Sequence, residues 1–215
     1  MSRLKRALKK KFIVFCEGDT EFHYIDHMRK NQGVEISIQP INMKGGGYRS
    51  FLNEIRTKAL TNCLAKFIII DADRIKESPG EQAAFLALLD YIKLQNQKKV
   101  TPHFLILNNP DFEYTACLHI SNYKGQDTTS FITRQSGFKN LEQFKGTEDI
   151  YNYRNSNGSY LIMLEKIRSG SKIVKNEYVI RKKLFEIEIK KSILCMDSLS
   201  KRGSNLEEFF DVISW

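Results

Sequence analysis

No apolar run in this 215-residue chain approaches the length of a bilayer span, so the sequence predicts no membrane helix. Its four cysteines, Cys16, Cys63, Cys117 and Cys195, form no Cys-x-x-Cys pair. That spacing argues for buried thiols and against a zinc site or a disulfide framework. No Gly-Lys-Ser/Thr closes a Walker A loop, no nucleophile elbow is visible, and no Ser or Cys has a compelling histidine partner. Internal repeats and low-complexity segments are lacking too. The first residues are basic, but no apolar core follows Lys9-Lys10-Lys11. No signal peptide is therefore expected, and the expected location is the cytoplasm.

What is present is a chain of 41% apolar residues, enough for one sizeable core, with a formal charge of +9. The charge is uneven. Residues 1–11 carry Arg3, Lys5, Arg6, Lys9, Lys10 and Lys11 without an acid. Residues 166–202 carry eleven Lys and Arg against Glu177, Glu186, Glu188 and Asp197. Basic surface of this kind suits a polyanion, RNA or DNA, although a solvated helix face has the same composition.

Two short apolar runs, Phe12–Phe15 and Phe67–Ile70, read as strands covered on both faces. Each is followed at once by acids: Glu17-Gly18-Asp19 after the first and Asp71-Ala72-Asp73 after the other. A further strand, Val34–Ile41, lies between them, with helix-compatible stretches on either side. The order β-α-β-α-β predicts a parallel sheet, whose ligands bind beyond the carboxyl ends of the strands. Glu17, Asp71 and Asp73 would then converge in one crevice. Carboxylates brought that close raise each other's pKa unless a cation neutralises them, which points to a hard divalent metal held by oxygens.

The remaining elements are read in the same way. A helix is expected after Gly18, with Phe22, Ile25 and Met28 inward, and another over Arg49–Cys63. A third helix has Phe85, Leu88, Leu89 and Ile92 on one face. Strand four is expected over Pro102–Leu107, with Pro110 in the first turn of the helix that follows. Residues 122–159, rich in Gly, Ser, Thr, Asn and Gln, read as loops or a mobile insertion with a short helix near Asn140–Phe144. Residues 160–194 read as helical, with Ile180, Leu184, Ile187 and Leu194 together, though Glu186-Ile187-Glu188-Ile189 also alternates as a strand would. Ser204 and Glu207 predict a capping box for a last helix.

Three further constellations bear on chemistry. Lys44-Gly45-Gly46-Gly47 precedes a helix, so its amides suit a phosphate, with Lys44 adding charge; a plain flexible turn has the same composition. Asp111 and Glu113 open the helix after strand four, at the same sheet edge, where they also stabilise the helix end without any catalysis. His23 and His27 stand four apart, but Tyr24 occupies the place of the metalloprotease glutamate, so these read as surface histidines.

Together these residues resemble a known family. Glu17-Gly18 after strand one and Asp71-Ala72-Asp73 after strand three are similar to the TOPRIM pattern over about residues 10–110. More narrowly, Cys16-Glu17-Gly18-Asp19-Thr20-Glu21, Lys44-Gly45-Gly46-Gly47 and Asn109-Pro110-Asp111-Phe112-Glu113 resemble the RloB-like proteins of bacterial defence loci, up to about His119. The resemblance implies that Glu17 acts as acid or base and that Asp71 and Asp73 bind Mg²⁺, with Mn²⁺ as a substitute. It also adds Glu113 to the candidate catalytic residues. Many TOPRIM proteins have a glycine soon after the aspartates; here Arg74-Ile75-Lys76 follows, and Arg74 joins Lys44 as a candidate for contact with nucleic acid.

The expectation is thus an α/β, TOPRIM-like three-layer domain with a mainly parallel sheet of about four strands and a helical C-terminal extension. Residues 1–10 form a basic arm, 11–120 the core, and 121–215 an insertion and extension packed on it. The expected activity is Mg²⁺-dependent cleavage of RNA or DNA in phage defence, with a partner ATPase as a possible companion. The alternative is a non-catalytic subunit that binds nucleic acid or the ATPase. A haloacid-dehalogenase phosphatase would carry its Asp-x-Asp after strand one, and a receiver domain would need a Ser or Thr where Asn108-Asn109-Pro110 stands.

Overall fold

The computed structural model describes residues 11–31, 36–58, 62–157 and 159–214. The basic arm over residues 1–10 lies outside them, as do Val34 and Glu35 of the expected second strand.

Four strands form the parallel part of the sheet: β1 (Lys11–Cys16), β2 (Ser37–Asn42), β3 (Cys63–Asp71) and β4 (His103–Asn109). Their order is β2-β1-β3-β4, and a short antiparallel strand, β7 (Gly203–Ser204), closes the β4 edge. The architecture is therefore α/β, with a mainly parallel sheet of five strands rather than about four. Residues alternate between its faces, as the strand period requires. Phe12, Val14, Phe67, Ile69, Phe104 and Ile106 enter one core, and Ile13, Phe15, Ile68, Ile70, Leu105 and Leu107 enter the other. The first core is covered by α1 (Asp19–Asn31) and by helices later in the chain, the second by α2 (Gly47–Thr57) and α3 (Pro79–Gln97). Helix α2 ends well before the expected Cys63, which opens β3 instead.

Strand β4 has only a two-residue strand neighbour on its outer side. The side chain of Asn205 supplies the rest: Leu107 N–H donates to Asn205 Oδ1 at 2.8 Å, and Asn205 Nδ2 donates to Leu105 O at 2.9 Å. This amide satisfies backbone groups that would otherwise be buried without partners. Gly203 fits here because its Cα faces the backbone of Ser171, leaving no room for a Cβ.

The segment after β4 departs most from expectation. Pro110 precedes the next helix instead of lying in its first turn; Asp111 is the N-cap, its Oδ1 accepting from Tyr114 N–H at 2.8 Å, and α4 runs Phe112–Cys117. The polar stretch holds the short helix expected near Asn140–Phe144, α6 (Leu141–Lys145), but also α5 (Thr128–Gln135) and α7 (Ile150–Asn157) where loops were expected, followed by α8 (Tyr160–Ser169). Its polar residues are helix caps: Asp127 accepts from Ser130 N–H, Asn140 from Gln143 N–H and Ser159 from Leu161 N–H. The helices between them bury Phe131, Ile132, Phe144, Ile150 and Tyr151 in the same core as Phe12 and Val14.

Nor is the extension helical throughout. Beyond α8 it forms an antiparallel hairpin, β5 (Val174–Arg181) with β6 (Glu186–Leu194). The alternation Glu186-Ile187-Glu188-Ile189 lies in β6, whereas the seven-residue spacing of Ile180, Ile187 and Leu194 fits only a helix; in the hairpin Ile180 pairs directly with Ile187. Leu184, the fourth member of the expected stripe, is 62% exposed in the hairpin turn. The final helix α9 (Leu206–Ile213) does form, without the expected capping box. Ser204 Oγ accepts from Leu206 N–H at 3.0 Å, while Glu207 pairs with Lys172 at 3.0 Å. Of the cysteines, Cys16 and Cys117 are buried and Cys63 half-buried; Cys195 is exposed where the chain leaves β6, contrary to expectation. Among the described residues no helix is long and apolar enough to cross a membrane.

Candidate functional site: a carboxylate crevice at the strand ends

Because β1 and β3 are direct neighbours, their carboxyl ends carry Glu17 and Asp71 to the same place. Asp71 N–H donates to Glu17 Oε2 at 2.8 Å, linking two motifs 54 residues apart. Glu17 is tied down further through its backbone: its N–H donates to Ile69 O, and its O accepts from Gly45 N–H at 2.7 Å. Asp71 is oriented from β4. Asn108, fully buried, donates from Nδ2 to Asp71 Oδ1 at 3.3 Å, while its own Oδ1 accepts from Thr115 and Ser204. Tyr48 donates its hydroxyl to Asp71 O at 2.6 Å.

Asp73 lies two residues on, in a 3-10 turn over Asp73–Lys76. It is exposed, and its Oδ1 accepts from Arg74 N–H at 2.7 Å. Its charge acts on both Glu17 and Asp111, so it borders the same opening. Glu113 is 3% exposed and pairs with Lys145 at 3.6 Å.

The crevice also holds an acid that sequence reasoning passed over. Glu21 is 4% exposed, and its Oε2 accepts from Gly18 N–H at 3.1 Å. In the sequence it closes the stretch Cys16–Glu21, where nothing distinguishes it from an ordinary acid in a helix's first turn. Burial, then the charges of Glu113 and Glu17, push its pKa up to about 8. Burial likewise holds Asp71 well above the usual carboxylate range, reinforced by Glu21, Glu17, Glu113 and Asp111. The Glu17 carboxyl is raised mainly by burial, against the Asp71 N–H bond. Asp111 and Glu113 are raised by burial as well, with Lys145 acting in the opposite direction on each.

This donor set is all oxygen and crowded, which fits a hard divalent cation. Among the described residues, however, no three or more His, Cys, Asp or Glu side chains are arranged to hold a metal ion. Mg²⁺ keeps several waters and takes one or two carboxylates, so its chemistry does not demand a closed cage. On that basis Asp71 and Asp73 would hold such an ion, with Glu17 beside Asp71.

The glycine loop beside the crevice has four successive left-handed residues, Lys44, Gly45, Gly46 and Gly47. Lys44 N–H donates to Asn42 Oδ1 and Gly45 N–H to Glu17 O. At the start of α2, Tyr48 N–H donates to Glu81 Oε2 at 3.4 Å. A carboxylate of the protein thus sits where a phosphate was expected, and a Cβ on Gly47 would come within 3.0 Å of Glu81 Oε1 and 3.3 Å of Arg74 Nη1. The Lys44 side chain is exposed.

Some basic residues of 166–202 stand at the two ends of the sheet, while Lys166, Arg168 and Lys172 bond elsewhere within the protein. Arg181 and Phe185, at the hairpin turn, share a groove with Leu64 and Pro102, at the amino ends of β3 and β4. Lys201 and Arg202 stand at the other end: Lys201 O accepts from Asn109 Nδ2, and the Arg202 charge reaches Asp111. His27, away from the crevice, pairs with Asp149 at 2.9 Å. No family model, curated protein or solved structure matches the chain.

Proposed function

We propose that the protein is a Mg²⁺-dependent phosphodiesterase acting on RNA or DNA, with a TOPRIM-like crevice. The observation that carries this reading is the meeting of Glu17 and Asp71 across adjacent strand ends, within a group of acids whose raised pKa values call for a cation. Bound Mg²⁺ would supply charge to lower the pKa of a water and to offset that of a scissile phosphate. Asp71 and Asp73 would hold the ion. Glu17, fixed by the Asp71 amide and with its pKa raised by burial, suits proton uptake or delivery. Lys44, Arg74, Lys201 and Arg202 would hold the nucleic-acid backbone near the strand ends. A role in phage defence, with an ATPase partner, rests on the RloB-like motifs alone.

The second reading is a non-catalytic subunit that binds nucleic acid or an ATPase. Two features favour it: among the described residues no three His, Cys, Asp or Glu side chains are arranged to hold a metal ion, and Glu81 occupies the amide end of α2.

The test is incubation of the purified protein with Mg²⁺ or Mn²⁺ and labelled tRNA, single-stranded RNA and DNA, beside Asp71→Asn. Cleavage by the wild type and its loss in the variant, with nucleic-acid binding retained, supports the enzyme. Equal inactivity on every substrate, alone and with an ATPase partner, leaves the binding subunit.

A further inference from the structure

At the amino ends of β3 and β4, away from the carboxylate crevice, the turn of the β5–β6 hairpin walls a groove of about 660 Å³. Among the described residues four that are not glycine have left-handed backbones, and three of them line this groove: Asn62 (φ 60°), Lys99 (φ 54°) and Phe185 (φ 52°). Asparagine adopts that conformation readily, but for an aromatic residue it stores strain. Here the strained position presents a ring. Phe185 is 49% exposed on the groove wall, with Leu184 beside it in the turn and Val100 also left to solvent.

The surroundings of that ring are cationic. Glu188, in the same wall, gathers Lys99 at 3.7 Å, Arg181 at 3.4 Å and Lys190 at 2.6 Å. Glu186, the second acid lining the groove, stands 3.6 Å from Arg181. Lys182 and Lys183 place two more exposed cations in the turn. Five cations thus face two carboxylates around an exposed aromatic ring.

We propose that this groove is a second contact for nucleic acid, holding an unpaired stretch of one strand with a base stacked on Phe185 and phosphates on Lys99, Arg181 and Lys183. The inference rests on the reading of nucleic acid as the partner, but not on metal binding or cleavage. An aromatic face stacks any unpaired base while neighbouring cations follow the backbone. A duplex offers the phosphates without a free base face, so it gains from the cations alone. Between Leu64 in the groove wall and Asp71 in the crevice, β3 rises about 23 Å at ~3.3 Å per residue. At the ~3.4 Å per nucleotide of a stacked strand, one strand touching both sites needs at least about seven nucleotides.

Fluorescence anisotropy of labelled single-stranded RNA and DNA, in EDTA so that no cleavage intervenes, tests this. Phe185→Ala and Phe185→Leu should each bind about tenfold more weakly, and Phe185→Trp at least as tightly as the wild type. Duplexes of the same length should bind all four forms alike. Replacing Lys99 and Lys183 together by Gln should flatten the slope of log affinity against log salt by about 1.4, at ~0.7 per phosphate contact on a single strand. On the unaltered chain, a strand carrying 5-bromouridine should photocrosslink within residues 181–189, read by mass spectrometry, which needs no variant to fold. Equal affinity of the wild-type and Ala forms for single strands overturns the inference and leaves the nuclease reading intact. So does full affinity in the Leu form, which keeps apolar contact without stacking, or crosslinking confined to residues of the crevice. No binding of any nucleic acid by any form overturns both.

Discussion

Replacing Glu21 by Gln should stabilise the metal-free protein at alkaline pH and leave it nearly unchanged in acid. The unfolded carboxyl ionises near 4.5, whereas burial and the charges of Glu113 and Glu17 hold the folded one at about 8. Between those values the unfolded chain gives up a proton that the fold retains, so stability falls as pH rises through that window. Such a difference corresponds to roughly 5 kcal/mol between the charged and neutral forms at 1.36 kcal/mol per pH unit. Gln keeps an acceptor for Gly18 N–H but still buries an amide, which offsets part of the gain. A net gain of about 2 kcal/mol above pH ~8 is expected, or a melting temperature higher by about 4–8 °C in a chain of this size. Thermal melts without metal, from about pH 4 to pH 9, provide the assay. The wild type should lose stability across the range and the variant less. Parallel curves for the two proteins, or a wild type flat from acid to alkali, would refute the burial and repulsion assigned to Glu21.

Asp71→Asn should abolish cleavage yet hold or raise the melting temperature without metal, because it removes charge from a site where Glu21, Glu17, Glu113 and Asp111 already repel it; differential scanning calorimetry beside the cleavage assay checks both. Nucleic-acid affinity should fall steeply between low and moderate salt through counterion release, and a flat response would favour a protein partner. Gly47→Ala should cost about 1–2 kcal/mol, since the residue has a φ of 76° and its Cβ would crowd Glu81 Oε1; urea unfolding should show the loss.

The strands that build the crevice were legible because run length and burial on both faces are local properties. Phe12–Phe15 and Phe67–Ile70 lie within β1 and β3, and the acids that follow them stand at the strand ends. Helix α3 was legible for the same reason: its apolar face repeats over several turns, as Phe85, Leu88, Leu89 and Ile92 show. The hairpin was not, because the seven-residue spacing of Ile180, Ile187 and Leu194 matches a helix and only the short alternation Glu186-Ile187-Glu188-Ile189 matches a strand. Contacts distant in sequence decided it. Buried Glu208 accepts from both Asn176 N–H and Asn176 Nδ2, and Ile187 is drawn into the core with Phe67 and Phe104.

By itself, then, the sequence determined the order of the elements as far as α4, the parallel strands and the acids at their ends, since each depends on neighbours a few residues away. The pairing order β2-β1-β3-β4, the use of Asn205 as a substitute strand partner, the orientation of Asp71 by Asn108, and the burial of Glu21 and of the Glu113 that pairs with Lys145 belong to the tertiary structure. A carboxyl pushed up to about 8 and a lysine paired with the buried Glu113 arise from burial and from charges far apart along the chain, and these exist only once the layers have closed over one another.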